Sequence, residues 1–547
     1  MPREAFATAA EVVLARANDT NPGLVFEGEC WTWAEVVAEM SARATWLREF
    51  TAGRPPHVGI LLDNVPEYLF ALGATILSGS VLVGLNSTRR GGELATDIIH
   101  TDCAVILTDA EHRPLLEGLD LSSTRIVEVD DPPSITGGKD PETFAPSPDD
   151  LALLLFTSGS TGAPKAVRVT QGRIARSAGG FGFSSADVMY CAMPLFHGNA
   201  LFSSVFPAMG CGASLVLRRR FSASECMPEI RATSATFFAT IGRALSFVVG
   251  TPPHPHDRDH HLRFVLAPES SLSDMAAFER RFGCKVFSGY GSSENAVIFV
   301  PKPGLPPDAL GVPLEGLDVA IVNPETGEEC EAARFDGSGK LLNAGDATGE
   351  IVGRNALGRF EGYYNNPEAT RERSRGGWYW SGDLGYRDEQ GVFFFAGRTI
   401  DWLRVDGENF ASAPLERMLA RFEGVTGVAV FGVPDERTAD DQVMAVVELD
   451  DPTRFDPSAF DEFLAAQPDL GTKWAPRYVR VMGDLPVGAT NKVDKRALRE
   501  LGWRVDDPVY WRPDRRASLR LMSPSDVAGL EASFGLHRQV DQQGADA

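Results

Sequence analysis

Apolar and polar positions along the 547-residue chain alternate between helical and strand spacing. Glu35 to Met40 continues toward Leu47 with helical periodicity, whereas Val58–Leu62 and Val105–Asp109 are short runs of strand length, the second ending in a turn. Such alternation predicts an α/β fold with a largely parallel sheet. The strongest predicted strand is Leu151–Phe156. Residues 301–395 carry glycine, proline and aromatic residues at turn spacing and predict a β-rich subdomain. After Arg398 a smaller α/β unit begins, with a helix near Pro414–Phe422 and strands at Val425–Phe431 and Met444–Leu449. A Pro/Gly/Asp-rich surface connection runs from Asp130 to Pro148, a polar loop from Pro252 to His261, and a frayed tail from Gln539 to Ala547. There is no internal repeat and no low-complexity block.

Two long uncharged runs, Tyr68–Thr88 and Val188–Leu217, have the length of a membrane span. The first is broken by Ser78-Gly79-Ser80 and reads as a buried helix followed by a strand at Val81–Val83. The second contains Pro194, His197, Gly198, Asn199, Pro207 and Gly210, which hydrocarbon would leave without partners. Both predict buried core, and peripheral membrane contact stays open. The N-terminus has no basic region followed by an apolar stretch, so no signal peptide is expected.

Charge narrows the function further. The chain holds 52 basic and 75 acidic residues, a net charge of −23, and such a surface repels a phosphate backbone. A polyanion bound here needs a local site that overrides the global field. Seven scattered cysteines, none in a CxxC pair, give no zinc ribbon or thioredoxin motif and predict a reducing, cytoplasmic compartment. His254, His256, His260 and His261 invite a metal reading, but their Pro/Asp-rich setting favours a solvated loop.

The decisive stretch follows the strongest strand. Phe156 to Ala166 reads FTSGSTGAPKA, with Thr157, Ser158, Gly159, Ser160, Thr161, Gly162 and Lys165 supplying hydroxyls, close-approach glycines and a cation. Glycines let the backbone approach an anion, and hydroxyls and N–H groups donate to phosphate oxygens. The loop is not a Walker A loop, because Ala163-Pro164 stands where glycine must precede lysine. No GxGxxG fingerprint follows a strand either, since Gly289-Tyr290-Gly291 leads to Glu294.

This segment resembles the phosphate loop of the adenylate-forming superfamily, which includes acyl-CoA synthetases, peptide-synthetase adenylation domains and firefly-type luciferases. Further motifs recur in that family's order over nearly the whole chain: GYGSSE at 289–294, GYYNNPEAT at 362–370, WSGDLGY at 380–386, GRTID at 397–401 with VDGEN at 405–409, and TNKVDK at 490–495. The resemblance implies a large domain over 1–397, made of parallel α/β sheets and a β-rich subdomain, and a smaller mobile α/β domain over 398–547 hinged near 398–401. It also implies that Gly289, Tyr290, Gly291 and Ser292 line the adenine pocket, that Ser293 contacts the α-phosphate, and that Glu294 helps hold Mg²⁺. A carboxylate is a hard oxygen ligand suited to that ion. Asp383 would bind the ribose hydroxyls, Arg398 ribose or phosphate, and Gly407 would border the thioester tunnel. Lys492 would reach the substrate carboxylate and the α-phosphate, with Lys495 as the decoy. The segment 362–370 matches a structural motif without an assigned chemical role. Two positions depart from the pattern: Ile400 at the hinge, and Asn491 in place of the glycine before the lysine. The run from Arg398 to Asn409 looks closest to the fatty-acid-transport-protein branch and related bacterial fatty-acyl-CoA synthetases.

The implied reaction joins a carboxylate to AMP at the expense of pyrophosphate and then transfers the acyl group to coenzyme A, with ATP, Mg²⁺ and coenzyme A as reactants and cofactors. Met193–Phe202 resembles the segment beside the acyl group. His197 stands where amino-acid-activating relatives usually place an aspartate, which argues against an α-amino acid. His197 reads equally as a packing residue, a gate or a base. Asn199, Phe238, Ala267 and Glu269 are the other candidate walls, and their apolar surroundings favour aliphatic or aromatic acids. Two other readings stay open: an adenylating enzyme with another acceptor or acid (a carrier protein, or an oxyanion such as nitrite), and a non-catalytic nucleotide-binding protein. Lys492→Ala is expected to abolish adenylate formation yet spare thioesterification of supplied acyl-adenylate; equal loss in both half-reaction assays contradicts the assigned role.

Overall fold

The computed structural model describes residues 6–532 apart from 52–55, 130–144, 158–163, 180–181, 303, 307–308, 337–340, 399–401, 406–407, 435–440, 468–469, 471–472, 488–492 and 515–516. Most of the 130–148 connection and the tail expected over 539–547 therefore lie outside the described residues. The chain divides into two compact units: residues 1–298 with 356–377, and residues 299–355 with 378–547.

The first unit contains two seven-stranded sheets. In one, Leu151–Phe156, Val81–Gly84, His57–Leu61, Val105–Thr108 and Arg125–Glu128 run parallel, and Ala166–Thr170 then Tyr363–Tyr364 add antiparallel strands at one edge. In the other, Lys285–Phe287, Phe264–Leu266, Phe237–Ala239, Val188–Cys191, Ser214–Leu217 and Pro22–Phe26 are parallel, and Glu29–Thr32 closes the edge as a hairpin. The inner parallel strands are apolar almost throughout, as strands covered on both faces must be, whereas the edge strands Arg125–Glu128 and Lys285–Phe287 are partly exposed.

Both uncharged runs are core. Pro66–Ser78 is a helix with proline in its first turn and every residue from Tyr68 to Ile76 buried. It stops at Gly79, whose φ of 76° suits glycine, and the chain turns into the strand Val81–Gly84. The second run gives the strand Val188–Cys191, a helical stretch from Gly198 to Cys211 and the strand Ser214–Leu217. That helical stretch widens to a π-turn over Leu201–Val205. Among the described residues, no helix is long and apolar enough to cross a membrane.

The second unit opens with an antiparallel sheet in which Ala309–Pro313, Phe393–Arg398, Tyr379–Arg387, Gly349–Gly353 and Val319–Val322 are successive neighbours. This is the β-rich segment expected from turn spacing. A hairpin of Trp402–Val405 with Glu408–Ala411 follows, then the helix Ser412–Leu419. Val425–Pro434 and Asp441–Leu449 begin a five-stranded sheet. The helix and both strands anticipated after Arg398 are present, displaced or extended by two or three residues.

Two helices of the first unit approach closely at Gly210. A methyl group on Gly210 would overlap the backbone carbonyl of Ala178, at the end of the helix Gln171–Ala178. Because the nearest atoms, at 2.2 and 2.7 Å, are backbone, the clash has no side-chain escape. Gly210→Ala is expected to cost about 1–3 kcal/mol of stability, read as a lower midpoint in chemical denaturation; an unchanged midpoint contradicts this packing.

Candidate nucleotide and acyl site

The phosphate-loop segment connects two strands of a hairpin. Leu151–Phe156 pairs antiparallel with Ala166–Thr170, ending on Phe156 opposite Ala166, and the Thr157 N–H donates to the Lys165 carbonyl at 3.1 Å. A Walker A loop instead enters a helix, whose N-terminus carries positive potential. Here a strand, Ala166–Thr170, follows. Ser158, Gly159, Ser160, Thr161 and Gly162 lie outside the described residues.

The strand after the loop is held from its far side by the 361–370 segment. Tyr363 pairs with Val167 and Tyr364 with Ala166, while the Arg168 N–H donates to the Gly362 carbonyl at 3.1 Å. The Glu361 carboxylate accepts from the Thr170 N–H and hydroxyl, each at 2.8 Å. The Asn366 amide donates to the Pro164 carbonyl at 3.2 Å, and its side-chain oxygen accepts from the Ala369 N–H at 3.0 Å, capping the helix Pro367–Arg373. One asparagine thus fixes both a helix start and the exit of the loop.

Tyr363 also joins two predicted ligand groups. Its hydroxyl donates to the Glu294 carboxylate at 2.6 Å, and the Lys165 ammonium stands 6.0 Å from its ring centroid. Tyr363 is 5 % exposed and Glu294 7 %. A hydrogen bond to a carboxylate so enclosed is worth about 1.5–3 kcal/mol. Burial and the adjacent Glu294 charge push the tyrosine hydroxyl far above its usual range, so it stays a donor. Lys165 also faces the exposed Glu372 carboxylate at 3.9 Å.

Glu294 sits in a tight turn in which the Asn295 N–H donates to the Ser292 carbonyl at 2.9 Å and Asn295 takes a φ of 56°. Two arginines tie this turn down. Buried Arg173 donates to the Ser293 carbonyl, and Arg359 Nε donates to that of Asn295 at 3.3 Å. The Arg173 guanidinium also lies 5.1 Å from the Phe202 ring centroid, within the π-turn. Gly289 precedes the turn, where a Cβ would meet Leu266 Cδ1 at 3.2 Å; Tyr290 and Gly291 form a two-residue strand.

The acyl candidates split into two groups. The His197 N–H donates to the Pro194 carbonyl at 3.0 Å, and its ring lies 4.4 Å from that of Phe196. A Cβ on the next residue, Gly198, would lie 3.5 Å from Leu155 Cδ1 and 3.7 Å from the Ser293 hydroxyl. Gly198, the residue after His197, therefore adjoins the strand Leu151–Phe156 and the Ser293 turn. The Asn199 amide donates to the Thr240 carbonyl at 3.3 Å and its oxygen accepts from Ser203 at 2.9 Å. Phe238 and Ala267 are fully enclosed in the core of the neighbouring sheet, with Phe238 edge-on to Tyr190 at 5.5 Å. Glu269 is exposed and holds a φ of 63°.

In the second unit, Asp383 and Arg398 are directly opposite each other in the pairing of Tyr379–Arg387 with Phe393–Arg398. The Asp383 N–H donates to the Ser381 hydroxyl at 3.1 Å, and the Gly382 N–H to buried Glu350 at 2.6 Å. Gly407, Lys492 and the Arg398 side chain lie outside the described residues. The decoy Lys495 pairs with Glu416 at 2.7 Å and Ser412 at 3.1 Å.

The donor set can be tested against Mg²⁺. Among the described residues, no group of three or more His, Cys, Asp or Glu could hold a metal. One hard, buried carboxylate with one oxygen engaged by Tyr363 suits an ion that takes most ligands from phosphates and water. In the 254–261 loop, His256 pairs with Asp259 at 2.6 Å and His260 with the Phe282 carbonyl at 3.1 Å. Burial pushes the Cys103 and Cys191 thiols up to about 12, far from a reactive thiolate.

A family model described as "AMP-binding enzyme" matches residues 13–364. The chain belongs to that family. It is 46 % identical over 543 residues to "Steroid-22-oyl-CoA synthetase" of Rhodococcus jostii, covering 97 % of this chain and 98 % of that one. It is 41 % identical over 519 residues to "Medium/long-chain-fatty-acid--CoA ligase FadD17" of Mycobacterium tuberculosis, covering 93 % and 99 %. Among solved structures, ATP-bound MatB from Rhodopseudomonas palustris superposes with a TM-score of 0.80 at 24 % identity, over 90 % of this chain and 98 % of that one. The anthranilate CoA ligase AuaEII gives a TM-score of 0.78 at 21 % identity, over 91 % and 97 %. These two likenesses show the shared α/β fold.

The motifs exposed the loop, the Ser293–Glu294 turn and the Asp383 strand. They included Tyr363 and Asn366 in the 362–370 segment without giving either a role, and did not mark Arg173 or Glu361. One of these residues had a local signal: an asparagine immediately before Pro367, the position of a helix N-cap. Asn366→Ala is expected to cost about 1 kcal/mol of stability and to weaken ATP binding in calorimetry. Lost stability with unchanged ATP affinity would show that the Pro164 contact does not shape the loop.

Proposed function

We propose that this protein is an AMP-forming acid–CoA ligase for a large apolar carboxylic acid, with a steroid side-chain acid the first candidate and a medium- or long-chain fatty acid the second. The observation that carries this reading is 46 % identity across 97 % of the chain to a steroid-22-oyl-CoA synthetase. The 41 % identity to a medium/long-chain fatty-acid ligase supports the same substrate class. The uncharged His197–Phe206 stretch, with Leu201, Phe202, Val205 and Phe206, agrees with such an acid.

The chemistry follows from the weakness of a carboxylate as an electrophile. In the first half-reaction a carboxylate oxygen attacks the α-phosphorus of ATP and the pyrophosphate oxygen leaves with its bonding pair. Positioning and charge stabilisation dominate such a transfer. Thr157, the 158–162 loop and Lys165 would cradle the phosphates, Ser293 the α-phosphate, and Glu294 would hold Mg²⁺. The ion, when bound, offsets charge on the phosphate oxygens. Lys492 would steer the two reacting anions together, while Gly289–Ser292 would border the adenine and Asp383 with Arg398 the ribose. In the second half-reaction the coenzyme A sulfur attacks the acyl carbonyl, the thiol proton is lost and AMP leaves. The two steps need different groups at one carboxyl, which a turn of residues 398–547 about 398–401 would exchange, bringing Gly407 to the thiol path. His197, preceding the Gly198 that faces Ser293, would border the acyl group with Asn199. Seven cysteines, all free, and dependence on ATP and coenzyme A agree with a cytoplasmic setting.

A substrate panel tests the reading. Pyrophosphate release should appear with a steroid-22-oate or with medium- and long-chain fatty acids, and a CoA thioester of the same acid should appear by mass spectrometry when coenzyme A is added. Release confined to amino acids, or acyl transfer only to a carrier protein, contradicts it.

A further inference from the structure

We infer that Tyr363 is a positioning residue for adenylate formation: its hydroxyl aims the Glu294 carboxylate, and its ring and backbone set the place of Lys165 and the strand behind the phosphate loop. This inference rests on the reading of Glu294 as the residue that holds Mg²⁺ with ATP.

Three independent contacts converge on this one side chain and its backbone. The hydroxyl reaches Glu294 at 2.6 Å, the ring faces the Lys165 ammonium at 6.0 Å, and the backbone pairs with Val167 two residues beyond that lysine. A second hydrogen bond anchors the backbone, whose N–H donates to the Thr370 hydroxyl at 3.0 Å. The ring packs edge-on against Phe360 at 5.3 Å, so it does not swing freely. A carboxylate with one oxygen fixed in this way presents the other in a defined direction. Partners of this kind behind a metal-binding group commonly govern metal affinity by about 10–100-fold when removed. The ring adds a weak attraction for the ammonium at the outer limit of cation–π range. Tyr363 itself needs no contact with substrate.

Tyr363→Phe keeps the ring and the backbone pairing and removes only the hydroxyl. Two readouts are taken on the full-length protein: the Mg²⁺ concentration that half-saturates pyrophosphate release, and the Mg²⁺ dependence of ATP-induced thermal stabilisation, which needs no turnover. Both midpoints should rise by about tenfold or more, while thioesterification of supplied acyl-adenylate stays near the parent rate. Glu294→Gln is measured alongside, and in the double variant Tyr363→Phe/Glu294→Gln the tyrosine change should add nothing to the Mg²⁺ shift. If Glu294→Gln shifts the Mg²⁺ midpoint and Tyr363→Phe does not, the inference is overturned and the Glu294 reading stands. If neither shifts it, both fall. Equal loss in the two half-reactions, with a lowered melting temperature and an unchanged Mg²⁺ midpoint, would mark a merely structural tyrosine and also overturn the inference.

Discussion

A loop that receives phosphate must have both ends fixed while its middle conforms to the anion. In the loop proposed here for that role, the entering end is the buried strand Leu151–Phe156, and the leaving end is Ala166–Thr170. The leaving strand would be a sheet edge without the short pairing to Tyr363 and Tyr364, and an edge strand has one side of its backbone unsupported. Glu361, Gly362 and Asn366 extend the same clamp along Thr170, Arg168 and Pro164. Because the clamp also carries the tyrosine that meets Glu294, it couples the loop to the 292–295 turn through a continuous set of hydrogen bonds. That coupling puts a cation and a carboxylate on one rigid support, and the rest of the site is built against it.

The hairpin geometry has an electrostatic consequence. Because the strand Ala166–Thr170 follows the loop, a triphosphate bound as proposed would meet no helix macrodipole there, on a chain of net charge −23. In the proposed site, attraction would come from Lys165, the hydroxyls of the sequence motif and a divalent ion. The site is therefore one where positioning of a few charges matters more than overall field, and side chains that only orient those charges gain importance.

Legibility in the sequence followed the length scale of each feature. The parallel strands are runs of buried apolar residues, and Leu151–Phe156 was readable to the residue. Tyr68–Ile76 was readable as core because Gly79 ends it. The loop and the Glu294 turn were visible since glycines and hydroxyls cluster there at short spacing. Tyr363 was hidden for the opposite reason: it lies 69 residues from Glu294, and its role arises from a pairing between distant segments. Arg173, which meets the Ser293 carbonyl 120 residues away, was hidden likewise. Phe238 and Ala267 read as pocket walls from apolar neighbours alone, a pattern that fully packed core residues share.

The most direct measurement is a crystal structure of the protein with Mg²⁺ and a non-hydrolysable ATP analogue. The account predicts phosphate oxygens between the 157–165 loop and Ser293, with Mg²⁺ bound to the Glu294 oxygen not engaged by Tyr363 and Lys165 turned toward the phosphates. A nucleotide bound with its phosphates away from Lys165 and Glu294, or an ion held without Glu294, would contradict it.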